Sequence, residues 1–197
     1  MPPLSEADQI ELLRLARWAV EHSVRNHRLP EVHAVTESLS LKSGAFVTLR
    51  KGDRLRGCIG HIEPSRPLYE TVCECAQAAA LRDPRFEPVT PDELPDLHIE
   101  VSVLSELTDV RPEDVEVGRH GLLISRGWRR GLLLPQVATE WNFDRERFLE
   151  ETCLKACLPP DAWRHGARIQ SFTAQVFEEP SSLSPEAFEN QNRASRL

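Results

Sequence analysis

The chain contains no run of about 18 consecutive apolar residues, which excludes a transmembrane helix. Its opening residues, Met1-Pro2-Pro3-Leu4-Ser5-Glu6, have neither the basic nor the apolar region of a secretory signal. There is no Cys-x-x-Cys and no His-x-x-x-His, so a zinc site would need ligands gathered from distant elements, and no metal is expected. Cys58, Cys73, Cys75, Cys153 and Cys157 make an odd set without framework spacing. They point to reduced thiols and a cytoplasmic location. Positive charge is in deficit: 24 Lys and Arg against 31 Asp and Glu give a net charge of −7. Phosphate binding needs clustered cations, so a dedicated nucleic-acid surface is not expected. No internal repeat is present.

What remains is an ordinary soluble globular balance over 197 residues, 40% hydrophobic and 28% charged, enough to bury a substantial core. Ser5 caps a helix running to His27. Leu13, Ala16, Val20 and Val24 form its apolar stripe, with Arg14, Arg17, Glu21 and Arg25 on the other side. Residues 45–49 and 55–62 read as a hairpin around Lys51-Gly52-Asp53. Gly57 and Gly60 inside its second strand mark a bulge, or the close approach of another backbone or a ligand. Pro67 opens a helix to about Arg82, whose Ala76, Ala78, Ala79 and Ala80 allow tight packing on a sheet. Asp83-Pro84 ends it.

Residues 97–104 alternate as a strand, with His98, Glu100 and Ser102 on the polar face. A second hairpin pairs 121–125 with 131–134. Helices follow at 135–141 and up to Cys157, the latter capped by Asn142 or Asp144. Residues 169–177 form one last strand, and 179–197 read as a polar, mobile tail. Hairpins dominate and no βα alternation is sustained. The expected fold is α+β with a mainly antiparallel sheet, as a single domain over 1–178.

The chemistry centres on Leu55-Arg56-Gly57-Cys58-Ile59-Gly60-His61. A cation near a thiol favours the nucleophilic thiolate. In a regular strand Arg56 and Cys58 share a face, whereas His61 points away unless a bulge re-aims it. Alternatively Cys58 is a small core residue and the glycines serve close packing. Glu100 is either part of a solvated face, a partner for Arg56 or Arg85, or a general base. His120 sits at a strand entrance. Arg126, Arg129 and Arg130 surround Trp128 at a hairpin tip, a basic-aromatic cluster of the kind that binds phosphate or unstacked bases, or simply a solvated loop. Cys153 and Cys157 share a helix face and are expected to be buried rather than metal-binding.

Leu55-Arg56-Gly57-Cys58-Ile59-Gly60 resembles the signature hexapeptide of the AMMECR-type domain family, whose bacterial and archaeal members are the A proteins of the AmmeMemoRadiSam system. The likeness continues through Gly44-Ala45-Phe46-Val47-Thr48-Leu49, Asp83-Pro84-Arg85-Phe86, Glu100-Val101-Ser102-Val103-Leu104, Gly118-Arg119-His120-Gly121-Leu122 and Leu134-Pro135-Gln136-Val137-Ala138. Phe148-Leu149 and Lys155-Ala156 complete it, over roughly residues 8–178. The resemblance implies an α+β fold of a larger and a smaller subdomain meeting at a cleft lined by the signature hairpin. It implies partnership with a Memo-like protein, similar to metal-dependent dioxygenases, and with a radical-SAM protein. It carries no defined reaction and no defined cofactor.

Two functions follow. In the first, the chain is an enzyme with Cys58 as nucleophile or redox thiol and Glu100 or His120 as proton-transfer group. Arg56, Gly57, Gly60, Arg85 and Gln136 then bind a small anionic substrate. In the second, it is a non-catalytic module that binds a small molecule or a Memo-like metalloenzyme, with Arg56 tied to Glu100.

Overall fold

The computed structural model describes residues 3–33 and 36–180. The hydroxyl of Ser5 accepts the Asp8 N–H, and α1 (Glu6–Asn26) starts there. It closes at His27, left-handed at φ 56°. After the short α2 (Glu37–Ser40), β1 (Ala45–Lys51) and β2 (Arg54–His61) form the expected hairpin, and α3 (Leu68–Leu81) follows. A 3-10 turn, Pro91–Asp96, leads into β3 (Leu97–Leu104). Beyond β4 (Thr108–Asp109) come the hairpin β5 (Gly121–Arg126) and β6 (Arg129–Leu133), then α4 (Pro135–Glu140) and α5 (Arg145–Lys155). Last are β7 (Arg168–Phe172) and β8 (Ala174–Glu178). Among the described residues, no helix is long and apolar enough to cross a membrane.

The chain divides into two units, Met1–Val103 with Gln175–Leu197, and Leu104–Ala174. The first holds a sheet in the order β2-β1-β3-β8. α3 packs on β1 and β2, and α1 on α3. Their shared core includes Leu12, Val20, Val47, Leu49, Val72 and Ile99, all fully buried. The second unit holds a sheet in the order β4-β7-β5-β6. α5 packs on β5 and β6, around Leu122, Ile124, Phe148, Leu149 and Cys153.

Two sequence expectations change. The single last strand is two strands, which join different sheets. The chain turns at Thr173, whose N–H goes to Ser105 Oγ and whose carbonyl accepts the Ser105 N–H. And Arg17, expected on the polar side of α1, is half-buried against the buried Glu179, the first residue of the expected tail. Arg17 Nε donates to Glu179 Oε1 at 2.8 Å, its Nη2 pairs with Glu179 Oε2, and it also donates to the Leu94 and Leu97 carbonyls. Glu179 exchanges two further hydrogen bonds with the Ile99 backbone. A buried charge persists only when paired and saturated with hydrogen bonds, as these are. The rest of the tail, 181–197, lies outside the described residues.

Candidate functional site

The signature strand is an edge strand, and its two faces do different things. Val47 pairs with Ile59 and Leu49 with Gly57, on the face that meets the helices. Gly57 is there because nothing larger fits: a Cβ would lie 2.2 Å from the Ala79 carbonyl oxygen of α3. This is the close backbone approach expected of a strand glycine. Thr48 pairs with Cys58 on one side and Glu100 on the other, so these three form one cross-strand row on the opposite face. Gly60, paired with Phe46 on that same face, lies under the Phe46 ring.

Register shifts once, between Leu49 and Arg50, leaving Arg56 as the extra residue of a β-bulge. No shift separates Cys58 from His61, so those two fall on opposite faces and form no Cys–His pair. The bulged Arg56 is instead committed sideways. Its Nε and Nη2 each donate to the Glu93 carboxylate at 2.9 Å, and its Nη1 donates to the Glu87 carbonyl at 2.9 Å. The guanidinium holds the Glu93 carboxyl at about 2, well below its usual range. The carboxylate that ties Arg56 is therefore Glu93, not Glu100.

Cys58 is clamped along the outer edge of its strand. Asp83, at the end of α3 and almost wholly buried, accepts the Cys58 N–H at 2.8 Å. The same carboxylate takes Arg85 Nε at 2.9 Å, Arg85 Nη2 at 2.7 Å and the Arg85 N–H. Arg85 Nη2 then returns to the Cys58 carbonyl at 3.1 Å. Asp83 and Arg85 thus replace, with side chains, the ladder partner that an edge strand lacks. The Arg85 hydrogen bonds hold the Asp83 carboxyl far below the carboxylate range. Asp83 in turn raises the Arg85 pKa, with a smaller contribution from the Cys58 thiol beside it. Arg85 remains about half exposed, so it keeps donor capacity towards solvent.

The thiol is half-buried, and its Sγ accepts a hydrogen bond from Thr48 Oγ1 at 3.3 Å. The other cysteines differ. Burial pushes Cys73 and Cys75 up to about 12, and raises Cys153 as well. Cys153 is buried as expected, but Cys157 is exposed, because it follows the last turn of α5 in a left-handed conformation at φ 55°.

The remaining candidates, His120 and Gln136, belong to the second unit. His120 Nδ1 accepts the Glu116 N–H at 3.1 Å, which fixes the ring proton of the neutral form on Nε2. Gln136 Oε1 is buried and carries no hydrogen bond among the described residues. Arg129 lies over the Trp128 ring at 5.4 Å, and its Nη1 donates to the Cys157 carbonyl at 2.7 Å. A hollow of about 430 Å³ in the second unit is lined by Pro112, Glu113, Asp144, Arg145, Glu146, Leu149 and Trp163, none of them a residue singled out from the sequence. Among the described residues, no group of three or more His, Cys, Asp or Glu is placed to hold a metal ion. Sequence reasoning missed Thr48, Asp83 and Glu93 as contributors to the Cys58 environment. Asp83 carried a signal in its Asp-Pro-Arg setting; Glu93 carried none.

Comparison with known proteins agrees with this frame. The chain is 47% identical over 188 residues to a protein of Methanothermobacter thermautotrophicus, covering 90% of this chain and 97% of that one. It is 48% identical to protein TK0174 of Thermococcus kodakarensis, covering 88% and 91%. Among solved structures it is similar to the uncharacterized protein PH0010 of Pyrococcus horikoshii, with a TM-score of 0.79 at 43% identity, covering 86% of this chain and 90% of that one. The AMMECR1 family model matches residues 13–177, and the chain belongs to the AMMECR1 family.

Proposed function

We propose that the chain is a thiol enzyme acting on a small anionic substrate, with the Cys58 sulfur as its nucleophile. The observation that carries this reading is the half-buried Cys58 thiol, held by the Thr48 hydroxyl and by the Asp83–Arg85 clamp on its own backbone. A reactive group must be kept in one geometry by its surroundings, and that is what the clamp does. Arg85, half exposed beside the thiol, is the anion anchor. Arg56 acts one step back: its fork is occupied by Glu93, and it fixes the strand. Glu100 lies two strand spacings from Cys58, about 9–10 Å between backbones, so it serves proton transfer to the substrate rather than to the sulfur. His120 and Gln136 enter through the family resemblance alone, as do the Memo-like and radical-SAM partners.

Alkylation by iodoacetamide tests it. At pH 7, Cys58 is expected to react at least about tenfold faster than the exposed Cys157, with Cys73, Cys75 and Cys153 protected. Equal rates at Cys58 and Cys157 would end the enzyme reading. A second reading, a non-catalytic module that binds a small molecule or a Memo-like metalloenzyme, is favoured by the complete engagement of Arg56 with Glu93 and Glu87. It expects Cys58→Ser to be silent in binding and Arg56→Ala to loosen the strand.

A further inference from the structure

The surroundings of Cys58 include two arginines, and most of their donors are already spent. Arg56 gives Nε and Nη2 to Glu93 and Nη1 to the Glu87 carbonyl. Arg85 gives Nε and Nη2 to Asp83, and Nη2 again to the Cys58 carbonyl. A guanidinium has one N–H on Nε and two on each terminal nitrogen. In Arg85 the Nε hydrogen and both Nη2 hydrogens are therefore taken. The two hydrogens on Nη1 bond nothing among the described residues, and the side chain is about half exposed, which leaves them to a ligand. The Phe86 ring, its centroid 5.5 Å from the guanidinium carbon, adds to the hydrogen bonds that fix the group in place.

Charge is spent in the same way. Asp83 offsets Arg85 and Glu93 offsets Arg56, so the two ion pairs together add no net positive charge beside the sulfur. A phosphate monoester brings about two negative charges and three oxygens, and arginine holds it best through a free fork of two parallel donors. Neither arginine offers that fork, because Glu93 and Asp83 each occupy one. A carboxylate brings a single charge, and one of its oxygens is within what one terminal nitrogen can hold.

We infer that the substrate of this site carries a carboxylate rather than a phosphate, held through one oxygen by Nη1 of Arg85 next to the Cys58 sulfur. The inference rests on the thiol-enzyme reading above and narrows it from any small anion to one chemical class.

Two alkylating reagents that share a reactive carbon test it. Iodoacetate carries a carboxylate where iodoacetamide carries a neutral amide. With either, the sulfur bonds to the methylene carbon as the C–I bond breaks and iodide leaves with the electron pair. The ratio of the two rates at one cysteine therefore reports recognition of the carboxylate, whatever the reactivity of the sulfur. On the whole chain at pH 7, the iodoacetate to iodoacetamide ratio at Cys58 is expected to exceed that of free N-acetylcysteine amide by about fivefold, the scale of one charge-assisted hydrogen bond. Arg85→Gln should bring the ratio down to the free-thiol value or below. In the unaltered chain, acetate should slow the iodoacetamide reaction of Cys58, and inorganic phosphate at matched ionic strength should not. A Cys58 ratio equal to the free thiol's, a ratio unmoved by Arg85→Gln, or protection by phosphate at lower concentration than acetate overturns the inference. The two readings fail separately: fast iodoacetamide alkylation with an ordinary ratio removes only the carboxylate, whereas a Cys58 no faster than Cys157 towards iodoacetamide ends both.

Discussion

The two units use one packing device at two places. In the first, the second strand of the β1–β2 hairpin carries Gly57, against which the backbone of α3 lies so close that a Cβ would come within 2.2 Å of the Ala79 carbonyl oxygen. In the second, the second strand of the β5–β6 hairpin carries Gly131, against which the backbone at the end of α5 lies equally close, with a Cβ 2.2 Å from the Ala156 nitrogen. The neighbours differ. Gly57 is followed by a half-buried thiol whose strand edge is held by Asp83, Arg85 and Glu93. Gly131 is followed by three leucines, and of the exposed arginines before it Arg129 reaches the helix end. A strand glycine at a helix–sheet contact is therefore a packing requirement wherever it occurs. What singles out the first hairpin is the acidic framework around the residue after the glycine.

The glycines should give the largest effects. Gly57→Ala and Gly131→Ala push a methyl into backbone that cannot retreat, and each is expected to lose about 3 kcal/mol in urea unfolding. If only one is sensitive, the parallel between the units fails. Next comes the acidic framework. Glu93→Ala strands the mostly buried Arg56 guanidinium and is expected to destabilise by about 2–3 kcal/mol, towards the low side for a partly exposed pair. The corresponding Arg129→Ala at the exposed second tip should cost only about 0.5 kcal/mol, the scale of a cation at a helix C-terminus.

The pH dependence sharpens the same contrast. Glu93 is held at about 2 against an ordinary value of 4.5, so its contribution is complete above about 4.5 and is lost as pH falls towards 2. Asp83 acts in the same direction. Acid unfolding followed by hydrogen exchange should therefore open β2 before β6; simultaneous opening would remove the special status of the first framework. At the other end of the scale, Cys73 and Cys75 sit near 12 against 9.0. Their contribution is complete below about 9 and fades as pH rises towards 12, a smaller effect visible as a decline in Tm.

Much of the frame was legible because it rests on local patterns. The α1 stripe, the β1–β2 hairpin, the alternation of β3 and the meaning of Gly57 all follow from residues a few positions apart. The signature drew attention to Cys58, and Thr48, Asp83 and Arg85 are found around it. What the pattern could not convey were partners set by tertiary arrangement. Glu93 reaches Arg56 across 37 positions, from a segment with no periodicity. Thr48 looks like an ordinary β-branched strand residue until its register with Cys58 is known. Arg17 sits on the polar side of its helix by spacing, and only the arrival of Glu179 makes that side an interior. The break at Thr173 was invisible because 168–178 reads as one uninterrupted run with no glycine or proline to mark a turn.

The Arg17–Glu179 pair has a consequence for how the protein is made. Its two members are 162 positions apart, and the strand leading to Glu179 is the fourth of the first sheet. A ribosome has therefore already delivered every residue of the inserted unit before the amino-terminal one can close. Non-local closures of this kind are slow, whereas contiguous segments assemble as they emerge. Pulse-labelled refolding should accordingly find amides of Leu122 and Ile124 protected ahead of Ile99: the half of the molecule begun first is the half finished last.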